Sequence, residues 1–91
     1  MTHKQVLILQ ALGQRPIAQS RIHQVAKCRS EQVDRFELPG LMDYSTTTGP
    51  LVVPVSGKGL CITEAGIAQL DQRGIAHNGK KISAEYFEDR R

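Results

Sequence analysis

The chain has 91 residues, 40% hydrophobic and 23% charged, with two Phe, two Tyr and no Trp. This allows one domain with a mostly aliphatic core, because two domains would each be too small to bury a core unaided. It excludes a collagen, a knottin and a large enzyme. The longest apolar run, Val6-Leu7-Ile8-Leu9, falls far short of the ~20 residues of a membrane span. The N-terminus carries no apolar signal core.

The formal charge is +3, but it is unevenly spread. Residues 1–30 contain Lys4, Arg15, Arg21, Lys27 and Arg29 and no acid, giving +5, while residues 31–91 carry −2. A uniformly positive third of the chain either is a solvated face or attracts a phosphate backbone. Cys28 and Cys61 fit neither a metal pattern nor a disulfide scaffold, and read as reduced structural thiols in a cytoplasmic protein.

The first predicted element is a helix over residues 4–12. Thr2 and Gln5 form a capping box, and Gly13 follows where a left-handed C-terminal cap is expected. Pro16 sets a short extended link, in which Ile17-Ala18 can pair with a later strand. Ser20 then caps a two-turn helix with Ile22, Val25 and Ala26 on one face. Ser30 caps a third helix, on which Val33, Phe36 and Glu37 share a face, with Phe36 supplying bulk to the core. Pro39 requires Leu38 to leave helical geometry, so this helix ends there.

From Leu41 the period changes. Residues 41–44 read as a short extended piece, and 45–50 as a polar turn. Leu51-Val52-Val53-Pro54-Val55 and Leu60-Cys61-Ile62-Thr63 form a hairpin with its tip at Ser56-Gly57-Lys58-Gly59. Pro54 places its strand at a sheet edge. Thr63 caps a fourth helix over 64–73 with Ile67 and Leu70 inward, and Gly74 and Ile75 close it. Asn78-Gly79 marks a turn, and 83–87 begins a last helical turn or two.

The order is helix, link, helix, tight turn, helix, hairpin, helix. It resembles the winged helix-turn-helix family, with the closest likeness at Leu60-Cys61-Ile62-Thr63-Glu64-Ala65-Gly66. In regulators of the multiple-antibiotic-resistance and phenolic-acid types, the second wing strand likewise ends in an apolar-x-apolar-Thr segment before a helix with an early Gly. The resemblance covers residues 4–74. It implies an α+β winged helix-turn-helix fold: three helices plus a β-hairpin wing and a fourth helix. Residues 1–74 form the domain, and 75–91 a C-terminal tail.

The resemblance also implies roles. Residues 20–27 support a recognition helix over 30–38 that enters the major groove, and the wing tip touches phosphate or the minor groove. Arg21, Lys27, Arg29 and Lys58 are placed to hold phosphates, and Ser30 to donate to one. Gln32 can bond adenine in two places, and Arg35 guanine. Glu31, Asp34 and Glu37 on the same helix oppose phosphate attraction and keep a protein-binding winged module open.

Other chemistry is weaker. Lys58 is followed by Gly59, where a phosphate-binding P-loop needs Ser or Thr. His3, His23 and His77 lack ligand spacing. Cys28 between Lys27 and Arg29 allows redox sensing, against plain inward packing. Arg90-Arg91 reads as a solvated tail or a nucleic-acid grip. The expectation is a non-enzymatic, cofactor-free transcriptional regulator or repressor, binding double-stranded DNA sequence-specifically as a homodimer, with no membrane partner. Tyr86 and Phe87 either make the dimer contact or cap the core. The rivals are a protein-interaction module and a DNA-metabolism accessory protein without sequence preference.

Overall fold

The computed structural model describes residues 1–78 other than Tyr44 and Thr46. The described chain is α+β, with four helices and one two-stranded antiparallel sheet. No helix among the described residues is long and apolar enough to cross a membrane.

Helix α1, His3–Leu12, begins with the expected capping box: Gln5 N–H donates to Thr2 Oγ1 at 3.1 Å and Thr2 N–H to Gln5 Oε1 at 2.9 Å. Ile8, Leu9 and Leu12 are fully buried. Gly13 is not the left-handed cap expected, because its φ is −65°. Close packing is its role instead, since a Cβ there would lie 2.6 Å from Leu70 Cδ1.

Helix α2, Ile22–Ala26, follows a 3₁₀ turn, Gln19–Arg21. Ser20 lies inside that turn and does not cap α2. Arg21 N–H donates to Ala18 O at 2.9 Å and Ile22 N–H to Gln19 O, so backbone carbonyls meet donors that a serine cap would have met. Ile22 and Ala26 are buried and Val25 is half-buried.

Helix α3, residues 30–41, departs most from expectation. It is an α turn, Ser30–Gln32, a π turn, Val33–Glu37, and a further α turn, Leu38–Leu41. Arg29 is its N-cap residue and Ser30 its first helical residue, so Ser30 is not the cap. Pro39 does not end the helix: Leu38 keeps helical angles, φ −64° and ψ −39°. In a straight α-helix the proline ring would clash with the carbonyl four residues back, that of Arg35. The π turn relieves this by widening the helix just before the proline, with Leu38 N–H reaching five residues back to Val33 O.

The same widening reorders the faces. At about 100° per residue, an α-helix puts Phe36 about 60° from Val33, on the shoulder of the core. A π turn advances less per residue, so Phe36 swings outward and Glu37 comes in line with Val33. Phe36 is accordingly 66% exposed, against the expectation that it fills the core, and Glu37 is 3% exposed. Glu37 is held by Thr2, whose Oγ1 donates to both carboxylate oxygens at 3.1–3.2 Å, while Gln5 Nε2 donates to its carbonyl at 3.0 Å.

Leu41 closes α3 as a helical residue, and Met42 follows in a turn, so the extended piece expected from Leu41 does not form. Leu51 N–H donates to Leu41 O at 2.8 Å, and Leu51 O accepts from Thr63 N–H at 3.0 Å. Between them Ser45 N–H and Oγ both donate to Asp43 Oδ1, which holds that carboxyl below the usual carboxylate range, the hydroxyl bond first.

Strands β1, Val52–Val55, and β2, Gly59–Ile62, pair with Val52 opposite Ile62 and Pro54 opposite Leu60. Leu60 spends its N–H and C=O on Ile17, at 2.8 and 3.1 Å, confirming the brief pairing expected of that link. β1 is therefore an edge, and Pro54 sits opposite a residue whose polar groups face away, so its missing donor breaks no ladder bond.

Helix α4, Glu64–Gln72, is capped by Thr63, whose Oγ1 accepts from Gly66 N–H at 3.1 Å. It ends in a Schellman motif: Ile75 N–H bonds Leu70 O at 3.0 Å, Gly74 N–H bonds Asp71 O at 3.1 Å, and Gly74 takes φ +68°. The core joins all four helices and the hairpin. Its fully buried members among the described residues are aliphatic side chains and Cys61.

Candidate nucleic-acid interface

The α2–α3 corner is built by one strained residue. Lys27 adopts φ +57°, the left-handed region that costs a side-chain-bearing residue roughly 1–2 kcal/mol. Lys27 N–H donates to His23 O, as does Cys28 N–H at 3.2 Å. Cys28 packs half-buried against the core, and the chain then turns into α3. Three residues, 27–29, thus join the two helices.

Closing the corner from outside is Lys4 of α1. Its Nζ donates to Ala26 O and to Lys27 O, at 3.1 Å each. These are carbonyls that a helix C-terminus leaves without partners, and a cation suits the negative end of the dipole. Lys4 was not singled out from sequence. The signal available was its place in the first turn of a helix with no acid there, where a cation is unfavourable unless used elsewhere.

Of the residues expected to contact DNA, Arg21, Lys27, Arg29, Ser30, Arg35 and Lys58 are exposed and Gln32 is half-buried. Arg29, Gln32 and Arg35 meet in one groove of about 490 Å³, which Lys4, Glu31 and Phe36 also line. Arg21 does not join them. It lines a separate hollow of about 350 Å³ with Arg15 and Gln24. Lys58 stands on the turn between β1 and β2, where its N–H donates to Val55 O at 3.0 Å.

Around the groove, among the described residues, three cations face one acid, Glu31. The other two acids of α3 are drawn off: Glu37 turns into the protein, and Asp34 accepts from Gln19 Nε2 at 3.5 Å. Arg35 forms no ion pair with Glu31, although they are four residues apart. Its guanidinium, that of Arg29 and the Gln32 amide supply donors and an acceptor around an open concavity, which suits a partner rich in phosphate oxygens and base edges.

Among the described residues, no group of three or more His, Cys, Asp or Glu gathers as metal ligands. Cys28 is half-buried and Cys61 buried, and the two do not form a disulfide. Gly79, Tyr86, Phe87 and Arg90-Arg91 lie outside the described residues, and with them the last helical turn and the proposed tail contacts. Comparison with protein-family models, with curated proteins and with solved structures found no match to this chain.

Proposed function

We propose that this chain is a winged helix-turn-helix domain that binds double-stranded DNA sequence-specifically, as a small transcriptional regulator acting as a homodimer. The observation that carries the reading is the meeting of Arg29, Gln32 and Arg35 in one cationic groove at the α2–α3 corner. The hairpin supports it, because the two Ile17–Leu60 bonds tie the wing to the link that leads into α2. So does the +5 charge of residues 1–30. The inward turn of Glu37 removes one of the three acids that opposed phosphate on α3. Dimeric binding follows from size, since one small module covers limited DNA surface.

The test is binding to random-sequence duplex DNA across a salt series, followed by selection of bound sequences from a random pool. Affinity should fall steeply between about 50 and 200 mM salt, as counterion release requires, and selection should enrich one sequence. Absence of any complex at the low end sinks the reading. Salt-dependent binding with no enriched sequence reduces it to a non-specific DNA-binding protein. A protein-binding reading rests on the exposed ring of Phe36 beside Glu31, and gains if DNA is ignored.

A further inference from the structure

We propose that Phe36 is a specificity-determining residue that reads the 5-methyl group of thymine, next to a base bonded by Gln32. The proposal rests on the DNA-binding reading above and names a base that reading does not specify.

Phe36 is 66% exposed in a chain that has two Phe and two Tyr and whose described core is aliphatic. The π turn holds it outward, and such turns occur often at functional sites. The ring lines the same groove as Gln32, Arg29 and Arg35. This combination limits the occupant. An aromatic ring within a rim of guanidinium groups suits a partner that is anionic at its edges and apolar at one point.

The major groove of duplex DNA has that character. Phosphates border it, and the thymine methyl is the apolar group on its floor. Gln32 and Phe36 are four residues apart, on either side of the start of the π turn, and line the same groove. Successive base pairs are stacked about 3.4 Å apart. A side-chain amide bonding adenine at one pair therefore leaves the ring within reach of an adjacent pair. No covalent step is involved; the gain is the removal of one methyl group and one ring face from water.

The experiment replaces each thymine of the selected site, one at a time, by deoxyuridine, which lacks only the methyl group. Affinity of the unmodified protein should drop about fourfold at one position, the value of one buried methyl. Phe36→Ala should bind the thymine site about that much more weakly and become indifferent to the uracil replacement there. Its circular dichroism melting curve should match the unmodified protein, because the ring packs into no core.

Equal affinity at every uracil-containing site overturns the inference and leaves DNA binding standing. So does undiminished methyl sensitivity in Phe36→Ala. Sedimentation showing that Phe36→Ala alone abolishes self-association assigns the ring to a second copy of the chain, and also overturns it. If duplex DNA is not bound at all, both the inference and the reading beneath it fall. The uracil scan needs no variant, so it can overturn the inference even if Phe36→Ala folds poorly, and Phe36→Leu, which keeps an apolar side chain, then serves for the assignment.

Discussion

Helices α3 and α4 are packed against the same core and obey different rules. α4 satisfies every local rule: a threonine cap, an early glycine at a close contact, an inward Leu70, and a Schellman ending. α3 has no side-chain cap, buries a glutamate, exposes a phenylalanine and carries a proline inside its length. Natural sequences tend to breach local consistency where a surface serves a partner. α4 and the hairpin thus follow local rules throughout, and α3 departs from them along the groove it borders.

Truncation in α4 should therefore strike stability hardest. Leu70 is fully buried and touches the site of Gly13. Leu70→Ala should cost about 2–5 kcal/mol in chemical denaturation. Gly66→Ala should cost about 1–3 kcal/mol despite the better helix propensity of alanine. Its Cβ would stand 2.5 Å from both Leu51 O and Ile62 Cγ1, and Leu51 O is already bonded to Thr63.

The counterpart on α3 is Arg35→Ala, which should leave the melting curve in place. It should weaken binding to the selected DNA site by about 1–3 kcal/mol, with a smaller loss on random duplex. Equal losses on both DNAs would remove Arg35 from base reading.

Thr63→Ala should cost about 0.5–2 kcal/mol, since it removes the cap of α4. It also removes the 2.7 Å bond from Thr63 Oγ1 to Pro50 O. Phe36→Ala, like Arg35→Ala, should change stability little, within about 0.5 kcal/mol, as for surface positions. A loss of several kcal/mol there would mean that α3 is rotated and that the contrast between the two helices is false.

The contrast also explains what the sequence revealed. The capping box of α1, the hairpin, the edge position of Pro54 and both ends of α4 rest on residues within a few positions of each other. The sequence misleads on α3, where a proline is accommodated within the helix and a charge is buried by partners far along the chain. Pro39 usually stops a helix, and here a π turn accommodates it. Glu37 is buried because Thr2 and Gln5, more than thirty residues earlier, hold it. Of the candidate site, the sequence marked Arg29, Gln32 and Arg35, which line one groove, and Arg21, which lies apart from them. Lys4 and Phe36 entered the groove only through tertiary packing and the π turn, which spacing rules for a regular helix do not encode.

The bonds of Leu51 to Leu41 and Thr63 have an evolutionary consequence. They fasten both ends of the segment between α3 and β1, so that neither the helix nor the hairpin depends on how many residues lie between. Doubling such a loop costs only about 0.6 kcal/mol in closure entropy. Residues 45–48, rich in serine and threonine, are thus a natural insertion point, where a descendant of this chain can acquire an extra segment without replacing any of the residues found to line the groove at Arg29, Gln32 and Arg35.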